Sequence, residues 1–195
     1  MWRSLLLCLP FCVVLLGGCA DDKPQFASTD VSYADFGKDF ALTDHNGKLR
    51  RLADFRGKAV VIFFGYTQCP DVCPTTMTGM AEVMKLLAAD AARVQVLFIT
   101  VDPERDTPQL LAQYVPSFHP SFLGLYADPQ TIEKTAQEFR VFYKKQPGST
   151  PTTYTVDHTA GSYAYDPQGR LRLYIKHGEK PEAIARDLKL LLAGK

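Results

Sequence analysis

The 195-residue chain carries 22 lysine and arginine residues against 21 aspartate and glutamate residues, a formal net charge of +1, and is 46% apolar. That balance leaves no basic field to draw nucleic acid, and neither a Walker-type loop nor a G-x-G-x-x-G turn offers a phosphate site. The apolar content suffices for one globular domain with a full core.

The chain opens with Met1-Trp2-Arg3 and the apolar run SLLLCLPFCVVLLGG, with no acidic residue before Asp21. One basic residue and a short hydrophobic stretch interrupted by Pro10 read as a secretory signal, far short of the roughly 20 apolar residues that cross a bilayer. The run ends in LGGC, Leu16 to Cys19, which is similar to the lipobox of bacterial lipoproteins. That similarity implies a lipoprotein-type signal peptide over residues 1–18 and lipidation of Cys19. The expected location is the bacterial cell envelope, periplasm-facing, with the lipid holding the chain to a membrane.

Cleavage before Cys19 discards Cys8 and Cys12, so of the five cysteines only Cys69 and Cys73 stay in the folded part. In an oxidising compartment two nearby thiols form a disulfide unless something uses or protects them. Arg3 also leaves with the leader, and the remaining charges balance. The segment ADDKPQFASTDVSYAD is polar and without periodicity, so residues 19–35 read as a flexible tether and residues 36–195 as the domain.

Within the domain, a hairpin is expected around His45-Asn46-Gly47, followed by a buried strand from Ala59 to Phe64. From Thr75, residues Met77, Met80, Ala81, Met84, Leu87 and Ala88 recur at helical spacing. Then come a strand in VQVLFITV, a helix from DTPQLLAQY, a strand in FLGLYA and a helix over PQTIEKTAQEFRVFY. A polar loop from Gln146 to Thr153 leads to the hairpin HTAGSYAYDPQGRLRLYIKHG, turning at Asp166 to Gly169, and the helix PEAIARDLKLLLA ends the chain. Strands alternating with helices imply a parallel core, and the late hairpin adds antiparallel strands. The expected fold class is α/β, a mixed central sheet flanked by helices with an N-terminal β-hairpin extension.

The stretch FFGYTQCPDVCPTTM brings Cys69 and Cys73 out of the first central strand, each followed by proline. Pro74 fits the first turn of a helix, which puts Cys73 at or near its N-cap and Cys69 in the loop before it. Ligands bind at such strand ends in open α/β sheets, and a helix N-terminus favours thiolate over thiol. A structural disulfide would close a very short loop and constrain the unfolded chain little. C-x-x-x-C spacing is wider than the usual dithiol motif and leaves room for both sulfurs to converge on one ion.

Two thiolates rarely complete a metal site, which directs attention to the four histidines. His45 lies in a turn, His119 in a loop between Phe118 and Pro120, and His177 before Gly178; all three read as solvated. His158 stands in YTVDHTAGSYAY, at the start of a late strand, where spacing alone leaves its role open.

Taken together, FFGYTQCPDVCPTTM, ITVDPERDTP and YTVDHTAGSYAYDPQGRL resemble the Sco/SenC family of copper-binding, thioredoxin-like proteins of cytochrome c oxidase assembly. The resemblance runs in consistent order from about Phe36 to the C-terminus. It implies a thioredoxin-like fold and one copper ion, as Cu(I) or Cu(II), held by Cys69, Cys73 and His158. Soft thiolates suit Cu(I), and imidazole accepts either oxidation state. Zinc in a closed structural site wants four ligands, and no fourth is evident.

Neighbouring residues carry weaker expectations. Asp71, between the cysteines, either tunes them or is a plain loop carboxylate, and Asp157 on a strand points away from His158. Asp102 is left open, while Asp106 or Thr107 caps a helix whose first turn holds Pro108. Met77, Met80 and Met84 read as a core-facing stripe rather than a thioether relay.

Two functions remain. One is a membrane-tethered copper metallochaperone, not an enzyme, serving cytochrome c oxidase subunit II, with another periplasmic copper chaperone or a thioredoxin-like reductant as further partners. The other is a thiol-disulfide oxidoreductase in which Cys69 attacks and Cys73 resolves, the two forming a redox-active disulfide. Thioredoxin enzymes present a cis-proline beside the dithiol, whereas Thr155-Val156-Asp157-His158 contains no proline. That difference favours metal.

Overall fold

The structure is a computed structural model that describes residues 25–149 and 153–195. Its centre is β4 (Ala59–Gly65) lying parallel to β5 (Val94–Thr100), every residue of both buried. Their near-continuous apolar sequences have no solvent face, as expected of strands covered on both sides. Strand β6 (Leu123–Tyr126) extends the sheet in parallel beyond β5. On the other side of β4, β9 (Ser162–Tyr165) runs antiparallel and pairs with β10 (Leu171–Ile175).

The margins are β1 (Thr29–Asp30), β2 (Leu42–Asp44) and β3 (Leu49–Arg50), giving the eight-stranded order β1-β10-β9-β4-β5-β6-β2-β3. The β2–β3 hairpin is the expected N-terminal extension and docks antiparallel on β6. Its turn is held by the buried Asp44 carboxylate, which accepts from the amides of Asn46 and Lys48 and from Arg50 Nε. Asp166 repeats the device in the β9–β10 turn, accepting from the amides of Gln168 and Arg170 and from Arg170 Nε.

Four helices complete the α/β fold: α1 (Val72–Leu87), α2 (Pro108–Phe118), α3 (Pro129–Glu138) and α4 (Pro181–Leu192). Helices α1 and α4 pack on each other and α2 packs on β6. Three of the four begin with proline behind an extended residue, and Thr107 and Asp128 cap α2 and α3 with their side chains. Met77, Met80 and Met84 are buried in the core, as their spacing predicts. No helix among the described residues is long and apolar enough to cross a membrane.

Three features depart from the sequence reading. The stretch read as a flexible tether, 19–35, is docked wherever it is described. Asp187 on α4 accepts from the amides of Ala27 and Ser28, and β1 adds to β10 through Thr29↔Tyr174 and Asp30↔Leu173. These backbone bonds need no hydrophobic periodicity, so polarity hid them. The signal peptide at 1–18 and lipidation of Cys19 lie outside the described residues.

The helix expected over PQTIEKTAQEFRVFY stops at Glu138, because Arg140 takes a left-handed backbone with φ of 53°. The chain then forms β7 (Tyr143–Gln146), between the last residue of the expected helix and the first of the expected loop, paired antiparallel with β8 (Thr155–His158). His158 therefore ends a separate two-stranded ribbon rather than starting the β9–β10 hairpin.

Candidate metal centre

Cys69 and Cys73 sit where β4 runs out into α1, at the C-terminal edge of the central strand pair. The helix starts at Val72 with Asp71 as N-cap, so Cys73 lies inside the first turn rather than at the cap. Cys69 is half-buried, Cys73 is 0% exposed, and both are free. The Cys73 amide donates to Cys69 Sγ at 3.4 Å, which turns the loop back on itself.

The ribbon brings His158 over this loop, placing its Nε2 3.4 Å from Cys73 Sγ. The ligand atoms of Cys69, Cys73 and His158 all lie within 4.8 Å of one another, a group that can hold a metal ion. His158 Nδ1 lies 3.0 Å from the carbonyl of Thr159. A carbonyl only accepts, so Nδ1 carries the proton and the Nε2 lone pair faces the sulfurs. Burial pushes this imidazole below its ordinary pKa, which keeps it neutral and able to ligate. Its ring is gripped edge-on by Phe63 and Tyr66, at centroid distances of 5.9 and 6.0 Å. Tyr66 Oη also accepts from the amide of Val156 at 3.2 Å, tying the end of β4 to the ribbon.

The Cys73 thiol is pushed far above the usual thiol range, first by burial and further by the neighbouring Cys69. The thiolate expected from its place at a helix start is thus not favoured in the metal-free site, because desolvation outweighs the helix end. A cation lodged among the three ligands would supply the missing charge compensation and release the thiol protons. A cavity of about 450 Å³ opens beside them, lined by Tyr66, Cys69, Asp71, Asp157 and His158 among others.

The weaker candidates fall elsewhere. The Asp71 carboxylate is exposed and accepts from Thr75 Oγ1 at 3.4 Å. Asp157 accepts from Gln146 Nε2 on the neighbouring strand, on the face of β8 opposite His158 as strand alternation requires. Thr107 is the cap of α2, and Asp106 instead accepts from Thr67 and Thr100, joining the ends of β4 and β5. Asp102 is fully buried and bound to Arg105 and Tyr154. His119 pairs locally with Ser121, and the exposed His177 contacts Thr76 Oγ1. His45 departs from the solvated reading: half-buried, its Nδ1 accepts from the Gly124 amide at 3.0 Å.

Sequence reasoning missed four contributors. Gly65, Tyr66, Arg105 and Tyr154 frame the site; they lie inside the three motifs, but their residue types gave them no role there. Gly65 had one signal, a glycine closing a buried strand, which marks close approach. Arg105 had only its place in ITVDPERDTP, because an arginine in a polar turn reads as solvent-facing.

A family model described as SCO1/SenC matches residues 29–193. The mitochondrial SCO2 homolog of Bos taurus is 40% identical over 157 residues, which is 80% of this chain but only 59% of that protein. This chain thus spans less than two thirds of that relative. The SCO2-like protein of Rickettsia felis is 35% identical over 193 residues, covering 95% of this chain and 92% of its own length. The structure of Bradyrhizobium japonicum ScoI with copper bound matches at a TM-score of 0.74 and 44% identity, over 80% of this chain and 99% of that one. The architecture is thioredoxin-like, and β4-α1-β5 with β9-β10-α4 forms its core. With two cysteines and a histidine gathered at the end of its central strand, the chain belongs to the SCO1/SenC family.

Proposed function

We propose that this protein is a copper metallochaperone that carries one ion on Cys69, Cys73 and His158 and helps load the binuclear copper site of cytochrome c oxidase subunit II. The observation that carries the reading is the trio itself, two sulfurs and a deprotonated imidazole nitrogen within 4.8 Å of one another. Thiolates give the site its preference for Cu(I), the imidazole lets it keep Cu(II), and three ligands leave a position for a partner to attack. The copper bound in the Bradyrhizobium relative supports the same choice of metal. The LGGC run supports a lipid anchor at Cys19 and a periplasm-facing site, where another copper chaperone would supply the ion and a thioredoxin-like reductant would keep the thiols reduced.

The test is anaerobic Cu(I) binding to the full chain in detergent, by chelator competition, against His158→Ala. One tightly bound copper and a loss of about 10-fold or more in the variant support the site. An unchanged affinity removes His158 from it. Deletion of the protein should impair oxidase assembly most at low copper, and normal assembly there would sink the delivery role.

One observation favours a second reading, a thiol-disulfide oxidoreductase. Cys69 is the more accessible thiol and Cys73 is buried directly behind it, the order an attacking and a resolving cysteine require. A Cys73→Ser variant that traps no mixed disulfide with the oxidase subunit would count against it.

A further inference from the structure

The ribbon that carries His158 is not part of the eight-stranded sheet, since among the described residues β7 and β8 pair only with each other. Its height over the cysteines therefore depends largely on side chains, and several of these converge on Arg105. Arg105 Nε donates to Asp102 Oδ2, just past the end of β5. Its Nη1 donates to the carbonyl of Tyr154, immediately before β8, at 2.9 Å, and to Gln68 Oε1, beside Cys69, at 3.2 Å. The guanidinium lies 3.6 Å from the centroid of the Tyr154 ring and 5.7 Å from that of Tyr66. Tyr154 Oη closes the figure by donating to Asp102 Oδ1 at 2.7 Å.

We infer that Arg105 is the positioning residue of the metal centre, holding the His158 ribbon and the cysteine loop at the spacing the three ligands need. It touches no ligand itself. It joins the three segments that must agree, namely the end of β5, the residue before Cys69 and the approach to β8. The other polar tethers are weaker: Val156 to Tyr66 Oη is one neutral hydrogen bond, and the ion pair of Lys145 with Glu104 is exposed; Val156 in the core and the Phe63 and Tyr66 rings against His158 add non-directional packing. Asp102 is buried and anchors Arg105 and Tyr154 together, so the clamp cannot slide without unpairing a buried carboxylate. Lysine cannot replace this arginine, because a single ammonium lacks the planar fork that serves Asp102, Tyr154 and Gln68 at once.

This inference rests on the reading of Cys69, Cys73 and His158 as a copper site, and the test separates the two. Cu(I) affinity is measured on the full chain in detergent for the native protein, Arg105→Lys, Tyr154→Phe, His158→Ala and the double variant Arg105→Lys/His158→Ala. Nitrogen hyperfine coupling is read from the EPR spectrum of the Cu(II) forms. Arg105→Lys and Tyr154→Phe should each weaken binding by about 10-fold or more and diminish the nitrogen coupling. In the His158→Ala background Arg105→Lys should add less than about twofold, because a residue that acts through His158 has nothing left to position.

Native affinity and coupling in Arg105→Lys, or an equal loss in both backgrounds, would overturn the assignment. If His158→Ala leaves affinity unchanged, the copper-site reading falls first and takes the Arg105 role with it. Amide exchange in the metal-free proteins guards against misfolding. Val156 should exchange faster in both clamp variants while β4 and β5 stay protected. Should Arg105→Lys lose protection throughout β4 and β5, Tyr154→Phe, which removes one hydroxyl, decides.

Discussion

Gly65 and Cys73 approach so closely that a methyl group at Gly65 would stand 2.8 Å from Cys73 Sγ, with Phe63 at 2.8 Å and Phe98 at 3.0 Å crowding the same space. The sulfur sits against bare backbone because no side chain fits between β4 and the first turn of α1. Gly65→Ala should push Cys73 Sγ out of its place. The expected result is a loss of about 1–3 kcal/mol in folding stability from overpacking, measured by urea titration, together with weaker Cu(I) binding. Native affinity in a stably folded variant would show that the sulfur has room to move.

His45 supplies a pH dependence that is separate from the metal centre. Burial holds its pKa below the ordinary value, and its Nδ1 must stay unprotonated to accept from Gly124. The unfolded chain therefore binds this proton more readily than the folded one. Stability from this group is complete above the unfolded pKa of about 6.5 and is lost as pH falls from there towards the folded value. The native protein should lose more stability between about pH 7.5 and pH 5.5 than His45→Gln does. Parallel curves for the two proteins, from urea midpoints, would refute the assignment.

The methionine stripe of α1 is core rather than relay. Met77 is 0% exposed and Met80 and Met84 are each 3% exposed. Replacing Met77 and Met84 together by leucine should leave Cu(I) affinity unchanged and cost less than about 1.5 kcal/mol per site, since volume is nearly kept. Met77→Ala should cost about 2–5 kcal/mol through the cavity it leaves. A copper affinity that falls in the leucine variant would bring a thioether into the site.

Asp187 decides whether the first described residues belong to the fold. Its carboxylate accepts from two backbone amides, that of Ala27, shared between both oxygens, and that of Ser28. Asp187→Ala should cost about 1–3 kcal/mol by leaving those amides unsatisfied. It should also abolish amide-exchange protection at Ser28 and Val31 while β4 remains protected. Protection at Val31 that survives would assign the docking to β1–β10 pairing alone.

Much of the chemistry was legible in linear form because it lives in short-range patterns. The apolar runs of β4 and β5, the Cys-Pro pair at the start of α1 and the methionine stripe each state their place through periodicity or proline. The hairpin turns at Asn46-Gly47 and Gln168-Gly169 do so through residues that tolerate a left-handed backbone. What could not be read was decided by contacts distant in sequence. Arg140 ends α3 in a left-handed conformation that no residue type announces, and only then can Tyr143 face His158 across a ribbon.

By themselves, the residues determined which candidate ligands exist: two thiols, four histidines among which only the family resemblance singles out His158, and a core able to bury them. Tertiary structure decided which candidates meet and in what protonation state. Burial set the Cys73 thiol high and the His158 imidazole low, the Thr159 carbonyl chose the tautomer, and the buried Asp102, Arg105 and Tyr154 gathered loop and ribbon together. The reason is that protonation and ligand spacing depend on the dielectric and on groups brought from elsewhere in the chain, and neither is encoded at the residue that responds.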